Sequence, residues 1–187
     1  MGVRMNKYNI GLFHGRFEHI HKGHQKVLKI MFKECKKVVL LIGNSQAYGT
    51  YKDPFNVLER VELIKKIYGN KKNFIIGFFP DLKDIPRTKE EYARWGEWIL
   101  SFCRYYSNGK IPDIVYSGGE AKTELLYGKK KIKIKKIPRE ELPISATETK
   151  ELLRKDKKED WKLITDERIH SEYNRLRRIV LSIPRKK

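Results

Sequence analysis

The chain has 187 residues, 40% of them hydrophobic, which favours one compact domain with at most a small appendage. It carries 42 Lys and Arg against 23 Asp and Glu, a formal net charge of +19, with a pI of about 9.8. That balance points to anionic partners such as nucleotides and polyphosphates, although charge by itself speaks mainly to solubility. There is no apolar run of about 18 residues, so no membrane-spanning helix is expected. The opening MGVRMNKYNIGLF has too short an apolar stretch for a signal peptide and no small-residue cleavage site. Cys35 and Cys103 stand far apart, without metal-type spacing, and read as reduced core thiols of a cytoplasmic protein. The basic run 129–136 (KKKIKIKK) is not interleaved with aromatics, so nucleic acid is not an expected partner.

In chain order, residues 6–12 (NKYNIGL) predict a first strand. Residues 24–35 (HQKVLKIMFKEC) carry Val27, Leu28, Ile30 and Met31 at helical spacing. A short, wholly apolar strand follows at 37–42 (KVVLLI), stopped by Gly43-Asn44. Pro54 suits the first turn of a helix reaching Tyr68. Another strand is expected at 74–79 (FIIGFF). Thr88, with Glu91 three residues on, caps a helix to Tyr106. The strand 114–116 (IVY) runs into a Ser-Gly-Gly turn, then a short helix at 120–127. The alternation in 131–137 (KIKIKKI) predicts an edge strand whose lysines discourage further pairing. Ser145-Ala146-Thr147-Glu148 is a capping-box pattern opening a helix to Lys155, and 167–183 reads as an amphipathic tail helix. Strands alternating with helices give an α/β fold: a Rossmann-like parallel sheet with helices on both faces and a C-terminal helical extension. The expected organisation is a single domain over 1–187, with a core at 8–155 and a helical segment at 156–187. Ligands of such sheets bind beyond the carboxyl ends of the strands, which directs attention to the residues after each strand.

Two stretches there carry chemistry. Residues 11–24 read GLFHGRFEHIHKGH. Gly15 permits a ligand to approach the backbone. His21 and His24 flank Gly23 at a helix entry, where free N–H groups and the positive dipole end favour phosphate. Such imidazoles stabilise charge when one phosphate oxygen displaces pyrophosphate at another phosphorus, with no covalent intermediate. A zinc set of His14, His19, His21 and His24 is the weaker reading, since no cysteine or carboxylate completes it. At 144–150 (ISATETK), Ser145 and Thr147 offer hydroxyls at a second helix start, while an ordinary capped helix explains the same residues.

The stretch GRFEHIHKGH resembles the first signature of the HxGH nucleotidyltransferase superfamily, and most closely that of nicotinamide-nucleotide adenylyltransferases, including the adenylyltransferase domain of bifunctional bacterial ribosylnicotinamide kinases. Glu18-His19 stands where those proteins usually have Gln-Pro or Asp-Pro. The ISATETK stretch is similar to the superfamily's I-S-x-T-x-x-R, with Lys150 in the arginine position; lysine keeps the charge but loses the planar fork. Arg154 lies one turn on. The resemblance implies His21, His24 and Lys150 as catalytic residues. It implies an ATP site of Phe13, His14, Gly15, Arg16, Gly23, Ser117, Gly118, Gly119, Ile144, Ser145, Thr147 and Arg154. Gly43, Ser45, Gln46, Asp53-Pro54-Phe55 and Glu59-Arg60 are similar to the mononucleotide-binding stretch of the same enzymes. Acceptor contacts are therefore expected from Asn44, Gln46, Phe55, Arg60, Trp95 and Trp98, with the tryptophans stacking on a cationic nicotinamide ring.

The implied reaction joins ATP and nicotinamide mononucleotide to give NAD and pyrophosphate. Mg²⁺ would accompany ATP, held by phosphates and water rather than by a protein cage. No general base is needed, because the acceptor phosphate is already ionised. A cytidylyltransferase or another nucleotidyltransferase with a different phosphate acceptor stays open. So does a non-catalytic nucleotide-binding regulator, to which Lys150 lends support, and so does a homo-oligomer. No P-loop G-x-x-x-x-G-K-[ST] occurs in the chain, so the kinase half of the bifunctional proteins is not expected.

Overall fold

The computed structural model describes residues 7–69, 71–82, 88–118, 122–128, 130–138, 141 and 143–184. Five parallel strands form one sheet: β1 (Tyr8–Gly15), β2 (Cys35–Ile42), β3 (Phe74–Phe78), β4 (Ile114–Gly118) and β5 (Lys133–Ile137). Their order is β3-β2-β1-β4-β5, so the winding reverses between β1 and β4. The crossovers carry α1 (Lys22–Glu34), α2 (Val57–Tyr68), α3 (Lys89–Tyr106) and α4 (Thr123–Tyr127). After β5 come α5 (Ala146–Arg154), α6 (Lys158–Ile164), a 3₁₀ turn (Glu167–Glu172) and α7 (Tyr173–Leu181).

Burial on both faces explains why β2 reads as an unbroken apolar run. Val38, Leu40 and Ile42 point into a core shared with α1, α2, Trp161, Leu176 and Val180. Val39 and Leu41 point to the opposite core, with Ile99, Leu100 and Cys103 of α3 and Tyr127 of α4. Each such side chain, fully withdrawn from water, contributes roughly 1.5–3 kcal/mol before entropy is counted. The first core reaches from β1 to α7, so the C-terminal helices pack on the sheet layer itself. Lys-rich β5 is an edge strand, paired only with β4 among the described residues, as the alternation predicts.

Several boundaries differ from the sequence reading. The first strand begins at Tyr8 and continues to Gly15, three residues past the expected end; Asn6 lies outside the described residues. Cys35 opens β2 instead of closing α1, because its backbone is extended and it pairs with Tyr8. The second helix begins at Val57, not at Pro54. Asn56 accepts from the Glu59 amide while Glu59 accepts from the Asn56 amide, and this reciprocal cap outweighs proline's preference for a first turn. Strand β4 runs on through Ser117-Gly118, paired with Lys136 and Ile137, where a turn was expected. Of the short helix placed at 120–127, the described part is α4; Gly119 and Glu120 lie outside the described residues, as does Lys129 of the basic run. The tail is a 3₁₀ turn capped by Asp166, followed by α7, and not one continuous helix; α6 before it falls within the segment expected to be helical, although no separate helix was placed there.

Candidate active site

The carboxyl ends of β1 and β4 flank the reversal in strand order, and a cavity of about 230 Å³ opens there. Phe13, His14 and Gly15 from the end of β1, Phe17, His21, Gly23, His24 and Val27 from the loop and first turns of α1, Gly118 from β4, and Ile144, Ser145 and Ala146 at the start of α5 line it. The two signatures, more than a hundred residues apart in sequence, thus form facing walls of one pocket.

His21 is the N-cap residue of α1, and no side chain caps that helix, which leaves its first N–H groups turned to the cavity end. The His21 and His24 rings stack with centroids 3.7 Å apart. A Cβ at position 23 would sit 3.0 Å from the His21 ring, so glycine there keeps the pair close. Phe17 packs against His24 (4.8 Å) and edge-on against Phe13 (5.1 Å), fixing the His24 ring from its other side. Burial holds the His24 imidazole down at about 3, with His19 adding to the effect, and holds His14 at about 4. Both rings are therefore neutral near pH 7, and the buried Nδ1 of His24 has no hydrogen-bond partner among the described residues. A polyanion entering this pocket meets the His24 Nδ1, which no group among the described residues has claimed.

His19 is spent on structure. Its Nδ1 lies 2.8 Å from the Ile20 carbonyl, and its Nε2 accepts from the Trp161 indole at 3.2 Å. Nδ1–H therefore donates to the Ile20 carbonyl, which fixes the neutral tautomer, in line with a pKa pushed down to about 4 by burial. This bond fastens α6 to the loop that carries the histidine pair.

On the facing wall, the Ser145 hydroxyl accepts from the Glu148 amide (3.1 Å), completing a capping box. A hydroxyl that accepts can still donate, so the cap and a phosphate contact are compatible. Thr147 is exposed and outside the cavity lining. Lys150 is buried, and its ammonium donates to the Lys52 carbonyl instead of pointing into the cavity. Arg154 donates to the Tyr51 carbonyl (2.8 Å), stacks on the Tyr51 ring (3.6 Å) and pairs with Glu151, which also accepts from the Tyr51 hydroxyl. Both cations of α5 thus clasp the loop before α2. Arg16 pairs with Asp53 at 3.2 Å beside the cavity.

The expected acceptor residues divide sharply. Phe55 is fully buried in the core. Arg60 is also buried, its guanidinium committed to backbone carbonyls, so neither presents a surface to a ligand. Gln46 is exposed and exchanges bonds with the backbone of Asp81 (3.2 and 3.4 Å), tying the turn after β2 to the end of β3. Asn44 holds a left-handed backbone in that turn. Trp98 donates to the Pro80 carbonyl (2.8 Å) and packs edge-on against Phe102. Trp95 lies beside Tyr92, and its buried indole N–H has no partner among the described residues. Ser117 is buried within β4, and Gly119 lies outside the described residues. The sequence reading missed Phe17, Val27 and Ala146 as lining residues. Phe17 was legible in the sequence, since Gly15-Arg16-Phe17 repeats the spacing of Gly11-Leu12-Phe13; Val27 and Ala146 are apolar residues that only the tertiary arrangement brings to the pocket.

Such a sheet, with its cavity at the switch point and a histidine pair at the first helix entry, is a Rossmann-like α/β domain of the HxGH type. Residues 12–180 match the family model described as cytidylyltransferase-like, and the chain belongs to that family. A nicotinamide-nucleotide adenylyltransferase of Pyrococcus abyssi (strain GE5 / Orsay) is 40% identical over 75 residues, 38% of this chain and 40% of that protein. One from Thermococcus onnurineus (strain NA1) is 30% identical over 118 residues, 62% of this chain and 56% of that protein. The matches thus span less than two thirds of either relative's length. Among solved structures, a bifunctional NMN adenylyltransferase/ADP ribose pyrophosphatase from Francisella tularensis, complexed with AMP and manganese, superposes with a TM-score of 0.63 at 16% identity, over 94% of this chain and 52% of that one. At that identity the likeness is one of fold.

Proposed function

We propose that this chain transfers the adenylyl group of ATP to nicotinamide mononucleotide, forming NAD and pyrophosphate. The observation that carries the reading is the cavity itself, where the stacked His21–His24 pair faces the start of α5 across a space lined by both signatures. An oxygen of the acceptor phosphate attacks the α-phosphorus of ATP; the bond from that phosphorus to the β-phosphate oxygen breaks, and pyrophosphate leaves with the electron pair. His21 and His24 donate to the oxygens on which charge grows, and the amides of α1 add their dipole. Phe13, His14, Gly15, Gly23, Gly118, Ile144 and Ser145 bound the ATP side; Arg16, Ser117, Thr147 and Arg154 border it. Gly119 completes our assignment of the ATP residues. Trp95, with its unused indole donor, is our choice for the nicotinamide face, and Asn44 and Gln46 in the turn after β2 complete our acceptor assignment.

No group of three or more potential metal ligands among His, Cys, Asp and Glu occurs among the described residues. Mg²⁺ bound to ATP would neutralise the leaving pyrophosphate. We further read the chain as one folding unit, with 156–187 its C-terminal helical segment, acting in the cytoplasm; no helix among the described residues is long and apolar enough to cross a membrane. The test is pyrophosphate release with each of four nucleoside triphosphates against a panel of phosphate acceptors. ATP with nicotinamide mononucleotide should give NAD fastest. Faster turnover of CTP with a phosphorylated alcohol would overturn the assignment in favour of a cytidylyltransferase. ATP binding without release from any pair would establish a regulator, the reading that the turned-away Lys150 favours.

A further inference from the structure

Two non-glycine residues beside the site have left-handed backbones: Phe17 (φ 48°) in the loop after β1 and Asn44 (φ 53°) in the turn after β2. Such a conformation is costly for a bulky residue and persists only where its surroundings over-determine it. One side chain holds both. The Arg60 guanidinium, 1% exposed, donates through Nη1 to the Arg16 carbonyl (2.9 Å) and the Gly43 carbonyl (3.1 Å), and through Nη2 to the Asn44 carbonyl (3.1 Å). The same Nη1 is 3.0 Å from the carboxylate of Glu18, itself 2% exposed. Arg60 therefore grips the chain on both sides of Phe17 and at Asn44. Phe17 in turn packs on His24.

We propose that Arg60 and Glu18 form a positioning pair that locks the strained turn at Phe17 and the left-handed turn at Asn44, and so sets the His21–His24 rings and the Asn44–Gln46 turn at their working separation. The proposal rests on the nucleotidyltransferase reading. Neither residue reaches the cavity, so neither is catalytic. The pair is poorly explained as a device for stability. Burial pushes the Glu18 carboxyl up to about 7 even though Arg60 and Lys150 pull it down, while Asp53 pushes it further up. Burial also lowers Arg60, opposed by Glu18, Asp53 and Asp81, with Arg16 lowering it further. Removing two charges from water costs more than their attraction returns in many such pairs. Retaining both here makes physical sense if what they supply is geometry.

Three variants test this. Glu18→Gln keeps an oxygen beside Arg60 but leaves the buried guanidinium without its counter-ion, and should hold kcat within about 3-fold of wild type while lowering Tm at pH 8. Arg60→Lys cannot span three carbonyls at once, and should lower kcat roughly 10- to 100-fold while KM for ATP moves less than about 3-fold, since misplacement by about 1 Å suffices for such a loss. Glu18→Leu combined with Arg60→Met removes the pair as a unit and should lower kcat at least as far. The ring signals of His21 and His24, read by NMR among only five histidines, should shift in Arg60→Lys and stay in place in Glu18→Gln. Wild-type kcat in Arg60→Lys with unshifted histidine signals would overturn the proposal, as would a kcat in Glu18→Gln that falls along with its Tm. If wild type itself releases no pyrophosphate, the nucleotidyltransferase reading fails, while the histidine signals still decide the positioning role.

Discussion

The two walls of the cavity are built on opposite principles. On the α1 wall, His14 and His24 are neutral, desolvated and packed, with Phe17 held against His24 by aromatic contacts. On the α5 wall, the cations Lys150 and Arg154 are already spent on the carbonyls of Lys52 and Tyr51. Neutral rings can wait buried, because their desolvation cost is small; a bare ammonium cannot, and takes the nearest carbonyl. On the proposed function, the first wall would meet a phosphate already packed, and the second would have to yield its loop clasp to a triphosphate.

If that contrast is right, the largest loss follows damage to the ready wall. On the proposed mechanism, His24→Ala removes a donor to the reacting phosphate and should lower kcat by about 10²-fold or more, with His21→Ala acting similarly. Single-turnover pyrophosphate release measures it. Rates close to wild type in both variants would remove the histidines from the mechanism. A smaller effect is expected at the acceptor side. Trp95→Ala should raise KM for the acceptor roughly 3- to 30-fold, the span of a cation–π contact, and leave KM for ATP nearly unchanged. Trp98→Phe loses the bond to Pro80 and should change Tm without separating the two KM values. Equal changes in both KM values for Trp95→Ala would assign Trp95 to the core.

The neutral histidines also sharpen the contrast through pH. His14 and His19 are depressed to about 4 and His24 to about 3, in each case chiefly by burial, from an ordinary 6.5. As pH falls below about 6.5 the unfolded chain takes up these protons first, so folded-state stability is fully present above that value and declines down to about 3–4. Urea unfolding between pH 7.5 and 4.5 should show the decline. It should be shallower in His24→Phe, and shallower in wild type with saturating ATP, whose phosphate charge would raise the imidazole pKa values. A flat profile would mean that the rings are hydrated and the wall is not pre-packed.

How much of this could be read in the chain follows the same division. The parallel sheet, the edge position of β5, the capping boxes at Thr88 and Ser145 and the meeting of the two histidines at a helix start all rest on local patterns of one to two turns, and the sequence shows them. Asn56 was overlooked because Pro54 looked like a start signal; Asn-x-x-Glu two residues later is the stronger one. Arg60 could not be placed correctly. A lone arginine after a glutamate on an amphipathic helix carries no sign that three carbonyls from two other loops will surround it. The partners of Lys150 and Arg154 were hidden for the same reason, lying about a hundred residues away.

Lys150 gives the smallest expected effect and the most direct test of the stored-charge wall. In the protein without nucleotide its ammonium has a carbonyl partner, and burial lowers its pKa while Glu18 and Asp53 raise it. A triphosphate oxygen would therefore replace one hydrogen bond with another, not create one from water. The net gain is the difference between two bonds, on the order of 1 kcal/mol, so Lys150→Met should raise KM for ATP only about 5-fold. Restoring arginine should match or improve on wild type, because a planar fork can hold the Lys52 carbonyl and a phosphate oxygen together. Arg154 lies one turn away on the same face and can share the load, so Lys150→Met with Arg154→Met completes the series. A double loss of ATP affinity larger than the sum of the two single losses would place both cations on the phosphates, each covering for the other. Loss of Tm with unchanged ATP affinity in the double variant would confine them to clasping the Tyr51–Lys52 loop, and α5 would then contribute only Ser145 and its helix start to the site. A loss of more than about 10²-fold in the single Lys150→Met variant would contradict the exchange argument, since it exceeds what swapping one charged hydrogen bond for another can supply.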